Sequence, residues 1–273
     1  MSLNVNVLTK QITIYGATPI FIAGVLGGLL NTLVFLSLRT FRESSCAFYL
    51  TIMSVFNIGQ LFLGLFSRIT MVFLGIDGTE TSLFYCKTRP YLNQVCIGTS
   101  LVCLCLATID QYFATCSRPR WQQWCNIILA RRLIIITILF WMCHGIPYFV
   151  FYEHVTSTMT QQTTCVSTNA LFTWYRNLMI VSILFGYLPA VITAIFGSMA
   201  YRNVQEVAYR TVPLVRRELD KQLTVMVLVH VAINIFTLLP YVTVTAISTY
   251  SNVPLALTVT LIIYYVTFAV SVI

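Results

Sequence analysis

Apolar positions in this chain do not alternate with polar ones. They run together in long stretches separated by short polar segments. A continuous apolar run of about 20 residues satisfies its own backbone as a membrane-crossing helix, whereas a barrel strand shows about 10 residues of strict alternation. Seven such runs are expected as spans, at residues 14–38, 46–74, 84–116, 131–152, 174–202, 216–248 and 254–273. The expected fold class is an all-α membrane protein, a seven-transmembrane helix bundle over residues 14–273 behind an extracellular tail over residues 1–13. The first run lacks a basic start and a small-residue cleavage site, so it is expected to stay as helix one. The chain stops within or just after helix seven and is expected to be truncated there.

Composition agrees with a lipid environment. Charged residues are 9% of the chain and apolar ones 58%, against roughly 25% charged in a soluble domain. The charges give orientation. Arg39, Arg42, Arg118, Arg120, Arg131, Arg132, Arg202, Arg210, Arg216, Arg217 and Lys221 follow helices one, three and five, while Lys10, Arg68, Lys87, Arg89 and Arg176 lie on the other side. The richer side belongs in the cytoplasm, which puts the N-terminus outside. The net charge of +8 thus reflects topology and lipid contact, and no nucleic-acid partner is expected, since no basic stretch is interleaved with stacking aromatics.

The segment from Cys86 to Tyr112 opens with a cysteine, carries no charge between Tyr91 and Ile109, and closes on Asp110-Gln111-Tyr112. At about 1.5 Å per residue, Cys86 and Asp110 are roughly 36 Å apart, so they sit at opposite membrane faces. Topology then sorts the cysteines. Cys46, Cys116 and Cys125 face the reducing side, and Cys96, Cys103, Cys105 and Cys143 fall inside helices. Cys86 and Cys165 remain for the oxidising outside, and a disulfide between them would make the loop before helix five a lid. No metal site or cofactor is expected: Cys103 and Cys105 point to different helix faces, and His144, His154 and His230 are scattered.

With its helix-three cysteine, Asp110-x-Tyr112, Asn31 in Gly28-Leu29-Leu30-Asn31-Thr32-Leu33-Val34, Trp141 and Pro147 in helix four, Pro189 in helix five and Pro240-Tyr241 in helix six, the chain resembles the rhodopsin-like G-protein-coupled receptors. The resemblance covers nearly the whole chain. It implies a multi-pass plasma-membrane receptor without catalytic residues, whose partners are an extracellular ligand and a heterotrimeric G protein. It also implies bends at Pro189 and Pro240 that let helices five and six move. Departures fall at switch positions. Gln111 stands where the family has arginine, Asn57 where it has a sodium-holding aspartate, and Leu238 where it often has tryptophan. Asn57 can still hydrogen-bond Asn31, but as a neutral amide it is expected to bind sodium poorly. No Asn-Pro-x-x-Tyr occurs before Ile273.

For the ligand, the position about five turns before Asp110 is Asn93, which offers an ammonium no counter-charge, so a small biogenic amine is disfavoured. No lysine lies in helix seven to carry retinal. Arg68, Asn93, Gln94, Arg176 and Tyr241 are the candidate ligand contacts. Arg68 also reads as a snorkelling side chain, and Arg176 and Glu153 as solvated charges at loop ends. Polar walls, a lid and an excess of positive charge point to a peptide, and the first comparison within the family is with invertebrate FMRFamide-like neuropeptide receptors. Two other readings stay open: a seven-helix relative that binds ligand or partners without conventional G-protein signalling, and a transporter. A transporter predicts paired acids or an internal repeat, and the sequence contains neither.

Overall fold

A computed structural model describes residues 13–37, 44–75, 77–116, 118–156, 163–207 and 214–251. Six helices among them are long and apolar enough to cross a membrane: α1 (Ile14–Ser37), α2 (Ser45–Leu74), α3 (Leu83–Thr115), α4 (Ile127–Phe151), α5 (Ala170–Gln205) and α6 (Leu214–Ser251), the last through its stretch Lys221–Thr243. The predicted seventh span and nearly all of the predicted tail lie outside the described residues. Helix starts are set by polar caps at the membrane boundary. Asn126 Oδ1 accepts the Ile128 N–H at 2.9 Å and starts α4 several residues before the predicted position. Asn169 Oδ1 likewise accepts the Phe172 N–H at 3.1 Å and starts α5 early. Each cap satisfies an amide that the helix itself leaves open.

The loop between α4 and α5 departs from the all-helical expectation. Strands β1 (Tyr152–Thr156) and β2 (Thr163–Ser167) pair antiparallel, with His154 opposite Cys165. Cys165 is disulfide-bonded to Cys86 at the start of α3, with the two Cα atoms 5.7 Å apart, inside the usual range for such a bridge. A second tie comes from His154, whose Nε2 donates to the Thr79 carbonyl at 2.7 Å in the helical turn just before α3. The hairpin is therefore fastened from two directions over the outer end of the bundle. The basic residues Arg118, Arg120, Arg131, Arg132 and Lys221 are exposed, before or within the first turns of α4 and α6 at the opposite end of the bundle.

α3 is the central column, and α2, α4, α5 and α6 all pack on it. Its buried positions are mostly small: Gly98, Thr99, Ser100, Cys103, Ala107 and Thr108. Small residues let helix backbones approach closely, which is how helices associate in lipid without a hydrophobic driving force between them. Trp141 of α4 lies directly over Gly98, so close that a methyl group there would sit 2.3 Å from its ring. Between α5 and α6 the equivalent contact is Gly186 against Val242, where a methyl would lie 2.6 Å from a valine carbon.

α2 and α5 each widen to a π-helical pitch, over Leu61–Phe66 and Arg176–Tyr187. In α2 the Leu63 carbonyl within this stretch accepts from Arg89 Nε of α3 at 3.0 Å. A basic residue at membrane depth is thus held by backbone from a neighbouring helix. Pro189 is buried just beyond the widened part of α5, and Pro240 lies inside α6.

Because Gly98 has no room for a side chain, Gly98→Val should lower stability by about 1–3 kcal/mol. This would be read as a depressed melting temperature of the detergent-solubilised protein, and an unchanged melting curve would show that the α3–α4 contact is not tight.

Candidate functional site

A cavity of about 270 Å³ opens among α2, α3, α5 and α6 beneath the hairpin, roofed by Tyr148 and Tyr152. Asn93, Gln94, Arg176 and Tyr241, predicted as ligand contacts, all line it. Arg68 does not belong to its lining. It is half-buried in α2 and has a partner of its own. Among the described residues that line the cavity there is no carboxylate.

Arg176 is not the solvated loop-end charge expected for it, whereas Glu153 is exposed. Arg176 Nη1 donates to the Tyr152 hydroxyl, and its Nε and Nη2 both donate to Asn177 Oδ1, at 3.1 and 3.0 Å. Its guanidinium carbon also lies 6.0 Å from the Tyr152 ring centroid. The guanidinium therefore joins α5 to the hairpin at the cavity's outer rim. A planar fork with several donors suits such a shared role better than a point charge would.

Gln94 is 3% exposed. Its Nε2 lies 2.8 Å from His144 Nδ1, and His144 Nε2 lies 3.0 Å from the Tyr175 hydroxyl. Gln94, His144 and Tyr175 thus form one hydrogen-bonded chain, which can run in either direction because the amide and the hydroxyl each both donate and accept. Gln94 Oε1 and Asn93 Oδ1 are buried without a hydrogen-bond partner, a condition that costs roughly 1–3 kcal/mol per group when left unmet. His144 was missed as a functional residue although it follows Trp141 by one helical turn, with the two rings 5.5 Å apart. His230 and Asn234 also line the cavity. Their spacing puts them on one face of α6, a legible sign in an otherwise apolar run.

Deeper in the bundle, Asn57 Oδ1 accepts from Ser100 Oγ at 2.5 Å. The bond that Asn57 could make to Asn31 is not formed. Asn31 is half-buried on α1, and α3 supplies the partner instead. At the inner end, Asp110 is buried and its two carboxylate oxygens each lie 2.8 Å from Ser45 Oγ. Beside it Gln111, 2% exposed, accepts from Thr224 Oγ1 of α6 at 2.9 Å. Tyr112 packs on Phe196 of α5 at 5.6 Å between ring centroids. Leu238 lines the cavity floor and packs on the cluster that contains Trp141 and Phe185.

A model of the seven-transmembrane receptors of the rhodopsin family matches residues 30–273, nearly the whole chain. No curated protein matches the chain significantly. The sodium ion that this family's helix-two aspartate holds does not fit the residues present here. Asn57 is neutral, its carbonyl oxygen is already engaged by Ser100, and no carboxylate among the described lining residues could replace it.

Replacing choline by sodium in the buffer should leave the protein's melting temperature unchanged, and Asn57→Asp should make it rise with sodium concentration. A sodium-dependent rise in the unsubstituted protein would contradict the neutral assignment.

Proposed function

The chain belongs to the rhodopsin family of seven-transmembrane receptors, and from this premise we propose that it is a plasma-membrane receptor that takes a peptide ligand beneath the hairpin and signals to a heterotrimeric G protein through α5 and α6. The observation that carries this reading is the reach of α6. Leu238 and Tyr241 line the cavity, and Thr224 on the same helix holds Gln111 at the inner end. The two ends are separated by roughly 25 Å of helix, with Pro240 at the cavity level.

A ligand shifts the balance between two arrangements only by binding one of them better. Contacts to Leu238 and Tyr241 give it the means, and release of Thr224 from Gln111 is the inner consequence. The peptide assignment is supported by the polar walls, the cationic rim at Arg176, the fastened hairpin and the lack of a carboxylate for an amine among the described lining residues. Comparison with FMRFamide-like receptors is the finer form of the same reading.

Gln111 favours a second reading. It bonds α6 as a neutral amide and offers no guanidinium to a G protein, as expected of a relative that binds ligand without conventional signalling.

The Thr224–Gln111 bond is a neutral hydrogen bond, so Thr224→Val should raise basal nucleotide exchange roughly two- to tenfold, measured on receptor-containing membranes with each G-protein class in turn. No exchange with any class, for the variant as for the unsubstituted receptor and with both folded, would favour the second reading.

A further inference from the structure

Arg176 is the permanent cation among the described residues that line the cavity, and its described partners are all neutral. A guanidinium has one N–H on Nε and two on each Nη. Asn177 Oδ1 takes the Nε proton and one from Nη2, and the Tyr152 hydroxyl takes one from Nη1. One N–H on each Nη is left, and no described residue accepts it. The Tyr152 oxygen accepts from Arg176, so its own O–H points elsewhere, and it too meets no acceptor among the described residues. Tyr148 stacks on Tyr152 with ring centroids 5.4 Å apart and brings a second phenol to the same roof, its hydroxyl likewise without a bond to any described residue.

The outer acids do not answer this charge. Glu153 follows Tyr152 along β1, so strand alternation turns it to the opposite face, where it is exposed. Asp77 accepts the Thr79 N–H in the turn before α3, and Glu80 in that turn is exposed. A half-buried guanidinium has given up part of its hydration, and an entering anion restores what the protein leaves unmet. A carboxylate fits what is on offer: it is planar, its two oxygens match the N–H pair of a guanidinium, and its roughly four acceptor sites leave room for the phenols. An ammonium would be repelled, and a carboxamide brings one uncharged oxygen. The volume of about 270 Å³ equals the space of roughly nine waters, enough for one side chain or end residue and not for a whole peptide.

We propose that Arg176, with the hydroxyls of Tyr152 and Tyr148, forms a subsite for a carboxylate of the ligand, carried either on an acidic side chain or at a free chain end. Asn177 is the positioning residue, since it holds the side of the guanidinium that does not meet the ligand. This deepens the receptor reading and relies on it only for the use of the cavity.

The test measures binding of two acids and their amide counterparts to the purified full chain by saturation-transfer NMR at neutral pH, where both acids are ionised. The pairs are N-acetyl-phenylalanine with N-acetyl-phenylalaninamide, for the chain end, and N-acetyl-glutamic acid α-amide with N-acetyl-glutaminamide, for the side chain. At least one acid should bind about tenfold or more tighter than its amide, the worth of a charge-assisted bond. Which acid does so identifies the source of the group. Arg176→Gln should bring acid and amide to within about twofold, and Arg176→Lys, which keeps the charge and loses the fork, should retain a smaller preference. Tyr148→Phe keeps the ring and removes a hydroxyl that has no described partner, so it should cut the preference about threefold with the melting temperature unchanged. The proposal is overturned if neither acid exceeds its amide, if the preference survives Arg176→Gln, if Tyr148→Phe leaves it whole, or if no probe binds the folded protein. In each of these cases the receptor reading stands or falls separately, on nucleotide exchange.

Discussion

The contact on which the rest of the bundle depends is the close approach of α4 to α3, where Trp141 lies on Gly98. Lipid tails are as apolar as leucine, so helices in a bilayer gain nothing from hiding leucine against leucine and must gain from fit. α3 supplies that fit with small buried residues along its length. It can therefore touch α2, α4, α5 and α6 at once. A larger residue at Gly98 would push α4 outward, and with it the hairpin that α4 leads into and the His144 that bonds Gln94.

The cavity is the place where this close packing stops. Above it, the disulfide and the His154–Thr79 bond hold the hairpin, and Arg176 ties α5 to the same hairpin through Tyr152. Below it, Leu238 packs with Phe185 and Trp141. The widened turns of α2 and α5 belong to the same pattern: in each, backbone leaves ideal α geometry near the cavity and is satisfied locally, through Arg89 on Leu63 and through Ser182 on the Asn177 carbonyl at 2.9 Å.

Neutral amides occupy the positions where the family resemblance leads one to look for charge: Asn57, Asn93 and Gln111. Their partners differ. Asn57 is held by Ser100 and Gln111 by Thr224, while the Asn93 oxygen has none. A neutral amide avoids the desolvation cost of a buried charge, but its interactions are short-ranged and depend on geometry. At Asn57 and Gln111 this chain therefore has hydrogen bonds where the family has charges.

Much of this was legible in the residues. The spans follow from uninterrupted apolar runs, because backbone in lipid has no other way to satisfy itself, and Cys86 and Cys165 follow from the charge-derived topology, because only they face an oxidising compartment. Gln94, Arg176 and Tyr241 stood out as polar groups in the outer half of the spans and Asn93 by its distance from Asp110, and all four line the cavity, whereas Arg68, picked on the same ground, does not. What sequence could not supply was partnership. The hairpin strands are 5 residues each, too short for a periodic signal. The Gln111–Thr224 bond joins residues 113 apart, and the chain Gln94–His144–Tyr175 needs three helices brought to one level. Composition and periodicity fix which groups a helix must bury. Which of them meet, and which oxygen is left without a donor, depends on how far each helix is rotated and displaced against α3, and only the packed bundle decides that.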